Sequence, residues 1–321
     1  MQLVTGAMTS LPSYFFVAVL LVTTVAAHSH IDYVTVNGLM YPGFIPRLGA
    51  DNAPETVGWS QTALDDGFVP PSNYTSPDII CHKDGSPARA HVPVSPGDVI
   101  HMQWNGWPAS HVGPILSYLA PCDSTNTNNS DGCASVDKTK LEFTKIDDAA
   151  PVFFNESGGP PGFWSTNTLI ASNNSWLVGL PTTLSPGAYV LRHELIALHY
   201  ANRTDGAQNY PQCVNLWVTA AGAGKGAAVR SPRKRGTVGN ALDRRGKGRL
   251  ATEMYHADDP GIKIDIYRNL TTYQIPGPTL ASNAKPVPVA SQSNMLAQAA
   301  GTPVLVSGTT AVPFPKATGR S

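Results

Sequence analysis

Apolar residues in this chain come in short runs cut by turn signals, and no long segment sustains a helical period. The 321 residues include 29 Gly and 28 Pro, and only 14% are charged. Such a chain favours many short strands and tight turns over long amphipathic helices. His30 to Val36 reads as a strand turned by Asn37-Gly38, and Val92 to Trp104 as a strand pair around Pro96-Gly97. Leu141 to Ile146 is a short strand. Ser175 to Leu180 and Ala188 to His199 are strands joined through Pro186-Gly187, and Gln212 to Thr219 is a further strand. Gly43 to Pro71, Asn105 to Pro114, Asn155 to Gly162 and Asn202 to Pro211 read as loops. The fold class this predicts is all-β, an antiparallel β-sandwich with long loops.

The first 27 residues carry no charged side chain, and Tyr14 to Val22 is unbroken apolar sequence. That run suits the core of a signal peptide and is too short to span a bilayer. Val25-Ala26-Ala27 places small residues where a signal peptidase reads them, so residues 1–27 are expected to be removed and the protein secreted. The mature chain then starts at His28, with no membrane association after cleavage. Residues 28–279 form the expected main domain. A basic, Gly-rich insertion runs through about 220–248, and the Ala/Ser/Thr/Pro-rich stretch 280–321 is expected to be a low-complexity, disordered tail.

The formal net charge of zero hides an asymmetry. Residues 225–249 hold nine of the 22 Lys and Arg and one of the 22 Asp and Glu, leaving −8 for the rest of the chain. The main domain is therefore unsuited to polyanions, and nucleic acid is not an expected partner. Four cysteines, Cys81, Cys122, Cys133 and Cys213, suggest two disulfides in a secreted chain, with three possible pairings. Cys122 with Cys133 is attractive because a polar loop separates them. Six Asn-x-Ser/Thr sequons, at Asn73, Asn128, Asn155, Asn173, Asn202 and Asn269, point to surface positions.

A mature N-terminal His28 would offer two nitrogen ligands, its α-amine and its imidazole. His111, in the loop Pro108 to Pro114, is a candidate for a third. A planar three-nitrogen set suits Cu(II), which tops the divalent affinity order. His193-Glu194-Leu195-Ile196-Ala197-Leu198-His199 is not a zinc-protease motif, because its second histidine comes six positions after the first. Read as a strand, it places His193 and His199 on one face. Gln208 and Tyr210 alternate onto one side just before Cys213.

These residues, taken together, resemble the fungal lytic polysaccharide monooxygenases of auxiliary activity family 9, formerly glycoside hydrolase family 61. The matching stretches include His28-Ser29-His30, Thr75 to His82, Trp107 to His111 with Gly113-Pro114, Tyr118 to Cys122, Tyr189 to His199, Gly206 to Cys213, and Ile275 to Pro278. The resemblance implies an immunoglobulin-like, fibronectin-III-like sandwich with a flat copper-bearing surface. It implies one copper ion held by His28, His111 and an axial Tyr210, with His199, Gln208 and Tyr210 as catalytic groups. Cys81 would pair with Cys213 and Cys122 with Cys133, and Tyr273 would face substrate. It implies a monomer that takes electrons from an external donor or redox partner. With dioxygen or hydrogen peroxide as co-substrate, it would cleave cellulose or a related β-1,4-glucan at carbon 1 or carbon 4. The stretch Phe44 to Glu55 lacks the tyrosines that some relatives place on the binding face. A hydrolytic endoglucanase, which needs a carboxylate pair, and a non-catalytic copper-binding protein are the competing functions.

Mass spectrometry of the secreted protein should find His28 as its first residue. A start at Ser29, or retention of Ala27, removes the bidentate end and with it the copper site.

Overall fold

The structure is a computed structural model that describes residues 29–51, 55–122, 131–149, 159–219, 248–293, 301–307 and 310–313. The leader, His28, the sequons at Asn128 and Asn155, and all but the last residue of the basic insertion lie outside them. Twelve strands and two short helices are described. They are β1 (Ile31–Val36), β2 (Leu39–Pro42), helix α1 (Asp78–Cys81), β3 (Val92–Val94), β4 (Val99–Trp104), β5 (Ile115–Pro121) and β6 (Glu142–Ala149). Helix α2 (Ser165–Ala171), β7 (Ser175–Gly179), β8 (Gly187–Ala197), β9 (Gln208–Val218), β10 (Arg249–Leu250), β11 (Thr302–Ser307) and β12 (Thr310–Pro313) follow. They form two six-stranded sheets, ordered β12-β11-β2-β1-β4-β7 and β10-β6-β5-β8-β9-β3. The fold is a β-sandwich, and most strand pairs are antiparallel.

The Asn37-Gly38 turn has φ of 52° and 76°, which lets β1 fold directly onto β2 with Val36 opposite Leu39. Two consecutive left-handed residues are what a two-residue hairpin requires. Between the sheets, Val34, Ile100, Met102, Trp104, Trp176 and Val178 of the first pack on Ile115, Leu119, Leu191, Leu195 and Val214 of the second. A second apolar cluster lies on the other side of the second sheet. There Val190, Ile196 and Leu198 meet Trp59, Ile79, Ile80, Trp164 and Tyr255. β8 is therefore buried along its whole length on both faces.

That doubly buried strand carries a charged pair. Arg192 Nη1 and Nη2 donate to Glu194 Oε2 and Oε1 at 2.7 and 2.9 Å. Arg192 also donates to the carbonyl oxygens of Ile79 and Ile80, at 2.9 Å each in the shorter bonds. Glu194 accepts from Asn209 Nδ2 at 2.8 Å and from the Tyr255 hydroxyl at 2.5 Å. Both charges are desolvated but saturated with partners. Cys81 pairs with Cys213 and Cys122 with Cys133, so the first disulfide ties α1 to β9 and the second closes the loop after β5.

Several strand and loop expectations shift. β5, at the centre of the second sheet, was not read as a strand; its seven residues are nearly all buried and therefore lack the polar alternation that signals a strand. β9 begins at Gln208 rather than Gln212. Pro211 is accommodated because β3 pairs with β9 only from Leu216 onward. α2 lies in sequence with no helical signal.

The tail expected to be disordered is in place over residues 280–293 and along β11 and β12. Its backbone first bonds to β6, Ala281 N donating to Lys145 O at 2.9 Å. Gln292 then acts as a substitute strand on β7: its Oε1 accepts from Leu177 N at 2.8 Å and its Nε2 donates to Leu177 O at 3.2 Å. Finally β11 pairs in parallel with β2. The tail needs no core of its own, because it adds hydrogen bonds to existing sheet edges and packs Val304 and Val306 into the core between the sheets.

Four buried histidines make stability depend on pH. Burial lowers His82, His91 and His101 to about 4 and His193 to about 3. Each is neutral in the folded chain, whereas the unfolded chain takes up a proton below about pH 6.5. Their contribution is therefore present above that pH and is lost as pH falls toward 4. Asp147, pushed up to about 7 by burial, acts in the opposite direction, losing stability as pH rises from about 4 to 7. His101 is the simplest case, since neither ring nitrogen has a hydrogen-bond partner. His101→Leu should flatten the loss of unfolding free energy between pH 6 and 4 by up to about 1.4 kcal/mol per pH unit, measured by urea titration. Glu194→Leu should cost about 3–5 kcal/mol by leaving Arg192 buried and unpaired, and the double variant with Arg192→Met should recover much of that loss.

Candidate active site

Three chain segments meet at one end of the sandwich. The first is the loop between β4 and β5, which carries Trp107 and His111. Its last turn lies against the end of β8: Leu198 N donates to Val112 O at 2.9 Å. Gly113 makes this approach possible, because a Cβ there would collide with the carbonyl oxygen of Ile196. Thr166 at the start of α2 holds the same place, its Oγ1 accepting from Gly113 N at 3.0 Å. The second segment is the turn after β8, where Ala201 N donates to Leu198 O at 3.0 Å. The third is the start of β9, with Gln208 opposite Ala197 and Tyr210 opposite Leu195.

The structure thereby brings together four of the residues expected to form the site. The His111 and His199 rings stack with centroids 4.1 Å apart. The Tyr210 hydroxyl donates to Gln208 Oε1 at 2.9 Å, as their shared side of β9 requires. Trp107, which sequence reading placed only within a motif, joins the two halves. Its Nε1 donates to His111 O at 2.7 Å, and its ring meets Tyr210 edge-on at 4.9 Å and His111 at 5.8 Å. Aromatic spacing alone could not have singled it out from the core tryptophans. Ser110 Oγ lies 3.2 Å from His111 Nδ1.

The electrostatics follow from burial. Burial lowers the His199 pKa, and its Nδ1 has no hydrogen-bond partner. Burial, with the nearby Asp65 charge, pushes the Tyr210 phenol well above its ordinary range. Among the described residues no three His, Cys, Asp or Glu side chains cluster as a metal set. The described part of the site offers His111 and Tyr210, and His28 lies outside it. The residues that follow His28 are nonetheless anchored to the start of the His111 loop: His30 N and Ser29 Oγ both donate to Asn105 Oδ1, at 3.1 and 2.6 Å. Burial opposes charge on His30, but Asp32 and Asp66 outweigh it and raise its pKa to about 9.

His193 does not share the face expected of it with His199. It lies within β8, pointing between the sheets, where its Nδ1 is 2.9 Å from Ser117 Oγ and its ring packs 5.9 Å from Trp104. His199 comes after the strand has ended, so strand alternation no longer applies. Tyr273 is partly exposed, stacked edge-on upon Trp164 at 4.9 Å, with its hydroxyl donating to Gly261 O at 2.8 Å. In the stretch Phe44 to Glu55, Phe44 is buried and Leu48 is the large apolar residue at the surface.

A family model for Auxiliary Activity family 9 (formerly GH61) matches residues 28–274. The chain is 45% identical over 273 residues to an AA9 family lytic polysaccharide monooxygenase A of Talaromyces verruculosus, covering 84% of this chain and 74% of that one. It is 46% identical over 257 residues to its counterpart from Thermoascus aurantiacus, covering 79% of this chain and 99% of that one. Among solved structures, the extended catalytic domain of H. jecorina LPMO9A superposes with a TM-score of 0.69 at 40% identity, covering 89% of this chain and all of that one. With this sandwich and these matches, the chain belongs to auxiliary activity family 9, the lytic polysaccharide monooxygenases, enzymes that cleave polysaccharides oxidatively.

Proposed function

We propose that the protein is a secreted, copper-dependent monooxygenase that cleaves β-1,4-glucans such as cellulose at carbon 1 or carbon 4, working as a monomer with an external electron donor. The observation that carries this reading is the convergence of His111, His199, Gln208 and Tyr210 at one end of the sandwich. The donor chemistry fits copper: imidazole nitrogen suits it, and a phenol can complete the set as a weak ligand. His28, through amine and ring, His111 and Tyr210 would hold the ion. A copper ion held there would supply redox chemistry, with the external donor's electrons and dioxygen or hydrogen peroxide as co-substrate, for oxidising the glucan.

The chain's own groups position and protonate. Trp107 braces the backbone of His111 and the ring of Tyr210 together. Gln208 fixes the Tyr210 hydroxyl by accepting its proton in a hydrogen bond. His199 Nδ1, buried and unpartnered, can accept or deliver a proton beside His111. Such groups around a metal tune it as strongly as the ligands do. Hydrolysis finds no support at Glu194, whose carboxylate is locked by Arg192, Asn209 and Tyr255.

Copper-loaded protein with a reductant should release aldonic acids or 4-keto sugars from cellulose. His111→Ala should abolish both those products and tight copper binding by calorimetry. His199→Ala and Gln208→Ala should retain copper but lower product formation by about 10–100-fold. Non-oxidised products formed without reductant would instead establish a hydrolase.

A further inference from the structure

The residues just after His28 make more contacts than a chain end needs. β1 starts at Ile31, so Ser29 and His30 stand before it, where a terminus ordinarily frays unless it is tied down. Both are buried, His30 to 4% exposure. Ser29 Oγ and His30 N donate to Asn105 Oδ1, and Asn105 N returns a bond to His30 O at 3.1 Å. Those bonds account for the backbone. They leave the His30 ring, whose place an apolar side chain would take if filling space were its whole purpose.

The ring lies between two carboxylates. Its Nδ1 is hydrogen-bonded to Asp66 Oδ1 at 2.8 Å, and its Nε2 lies 3.1 Å from Asp32 Oδ1, an ion-pair contact without hydrogen-bond geometry. Asp32 is the extra residue of a β-bulge: Ile31 faces Trp104 and Tyr33 faces Gln103. Bulges re-aim side chains in this way. Asp66 comes from the loop between β2 and α1. That loop is fixed by Asp66 N donating to Ala63 O at 2.9 Å and by Gly67 O, 2.7 Å from His82 Nε2. Three residues after Asp66, Val69 N donates to Asn209 O at 2.9 Å and Asn209 N to Val69 O at 3.1 Å. Asn209 sits between Gln208 and Tyr210 in β9, and the Phe68 ring is 6.1 Å from the Tyr210 ring. Short links therefore run from the His30 ring through Asp66 to the start of β9, while the His30 backbone is tied to the start of the His111 loop.

We infer that His30 and Asp66 form a clamp that sets the mature N-terminus against the His111 loop and the start of β9. Both are positioning residues, and neither touches the ion or the substrate. A metal site needs its donors held to within about 0.5 Å, and a first residue has chain on one side only to hold it. The His30 ring supplies the second hold. The inference rests on the proposed function for the metal and for His28 as the first residue.

The test uses the secreted protein at a single pH, at a temperature where circular dichroism shows each variant folded. Calorimetry and the Cu(II) electron paramagnetic resonance spectrum report on the loaded form, and amide hydrogen exchange reports on the metal-free form. Asp66→Ala should weaken copper binding about tenfold, change the Cu(II) spectrum and speed exchange of the His30 N–H about tenfold. His30→Phe, which fills the space without the contacts, should do the same. Asp66→Asn should stay near the parent, because its amide oxygen still accepts from Nδ1. A merely structural role predicts a lower unfolding temperature in Asp66→Ala with the parent's copper affinity and spectrum. That result overturns the clamp, and the function stands if the parent releases oxidised products. If the parent binds no copper, the copper reading fails and exchange decides the clamp. Faster exchange of the His30 N–H in Asp66→Ala then upholds it as the anchor of the N-terminus, and unchanged exchange overturns it.

Discussion

The salt bridge between Arg192 and Glu194 holds together parts of the chain that are distant in sequence. It sits on the outer side of β8, where a sheet of this kind would ordinarily meet water. Arg192 gathers the carbonyls at the end of α1, and Glu194 gathers β9 through Asn209 and the segment after β10 through Tyr255. Two ions are stable at such a depth only when every lone pair and proton is used. That demand fixes the long loops over the sheet, and the second apolar cluster closes around them. The zinc-protease look of His193-Glu194 thus has a structural origin: the carboxylate is an anchor and the histidine a core residue.

The same hairpin that carries the salt bridge aims the site. β8 and β9 stay paired from Gly187 opposite Val218 to Ala197 opposite Gln208. At the open end, His199 has left the strand while Gln208 and Tyr210 have just entered one. Each side of the hairpin therefore delivers a polar group to the place where Gly113 lets the His111 loop approach. The rigidity comes from sheet pairing and from Trp107, with the candidate groups His111 and His199 on connections and Gln208 and Tyr210 at the first residues of β9.

Much of this was legible in the sequence. The short strands cut by Gly and Pro gave an all-β chain, and the Asn37-Gly38 turn specified its hairpin. The even spacing of Gln208 and Tyr210 gave their shared side, but it could not reveal their distance from His111, which depends on contacts between positions 99 apart in the chain. β5 and the tail escaped for opposite reasons. β5 is apolar on both faces, so it has no alternation to read. The tail has too few apolar residues to form a core of its own, and it is held by hydrogen bonds to sheet edges and by Val304 and Val306 packing into the existing core, partners that local composition does not record. Trp107 was visible only as one aromatic among several.

The two disulfides have a bearing on the proposed electron supply. Cys81 and Cys213 are 2% and 3% exposed, and Cys122 and Cys133 are 1% and 0% exposed. Thiol exchange proceeds by direct attack on a sulfur, so access controls it. Under the proposed function, a reductant would deliver electrons to one centre and should leave the rest of the chain untouched. Cys213 follows Tyr210 by three residues on the same strand, and its burial separates those two fates. The fold would thus insulate its own covalent frame from the reductant that the proposed chemistry needs.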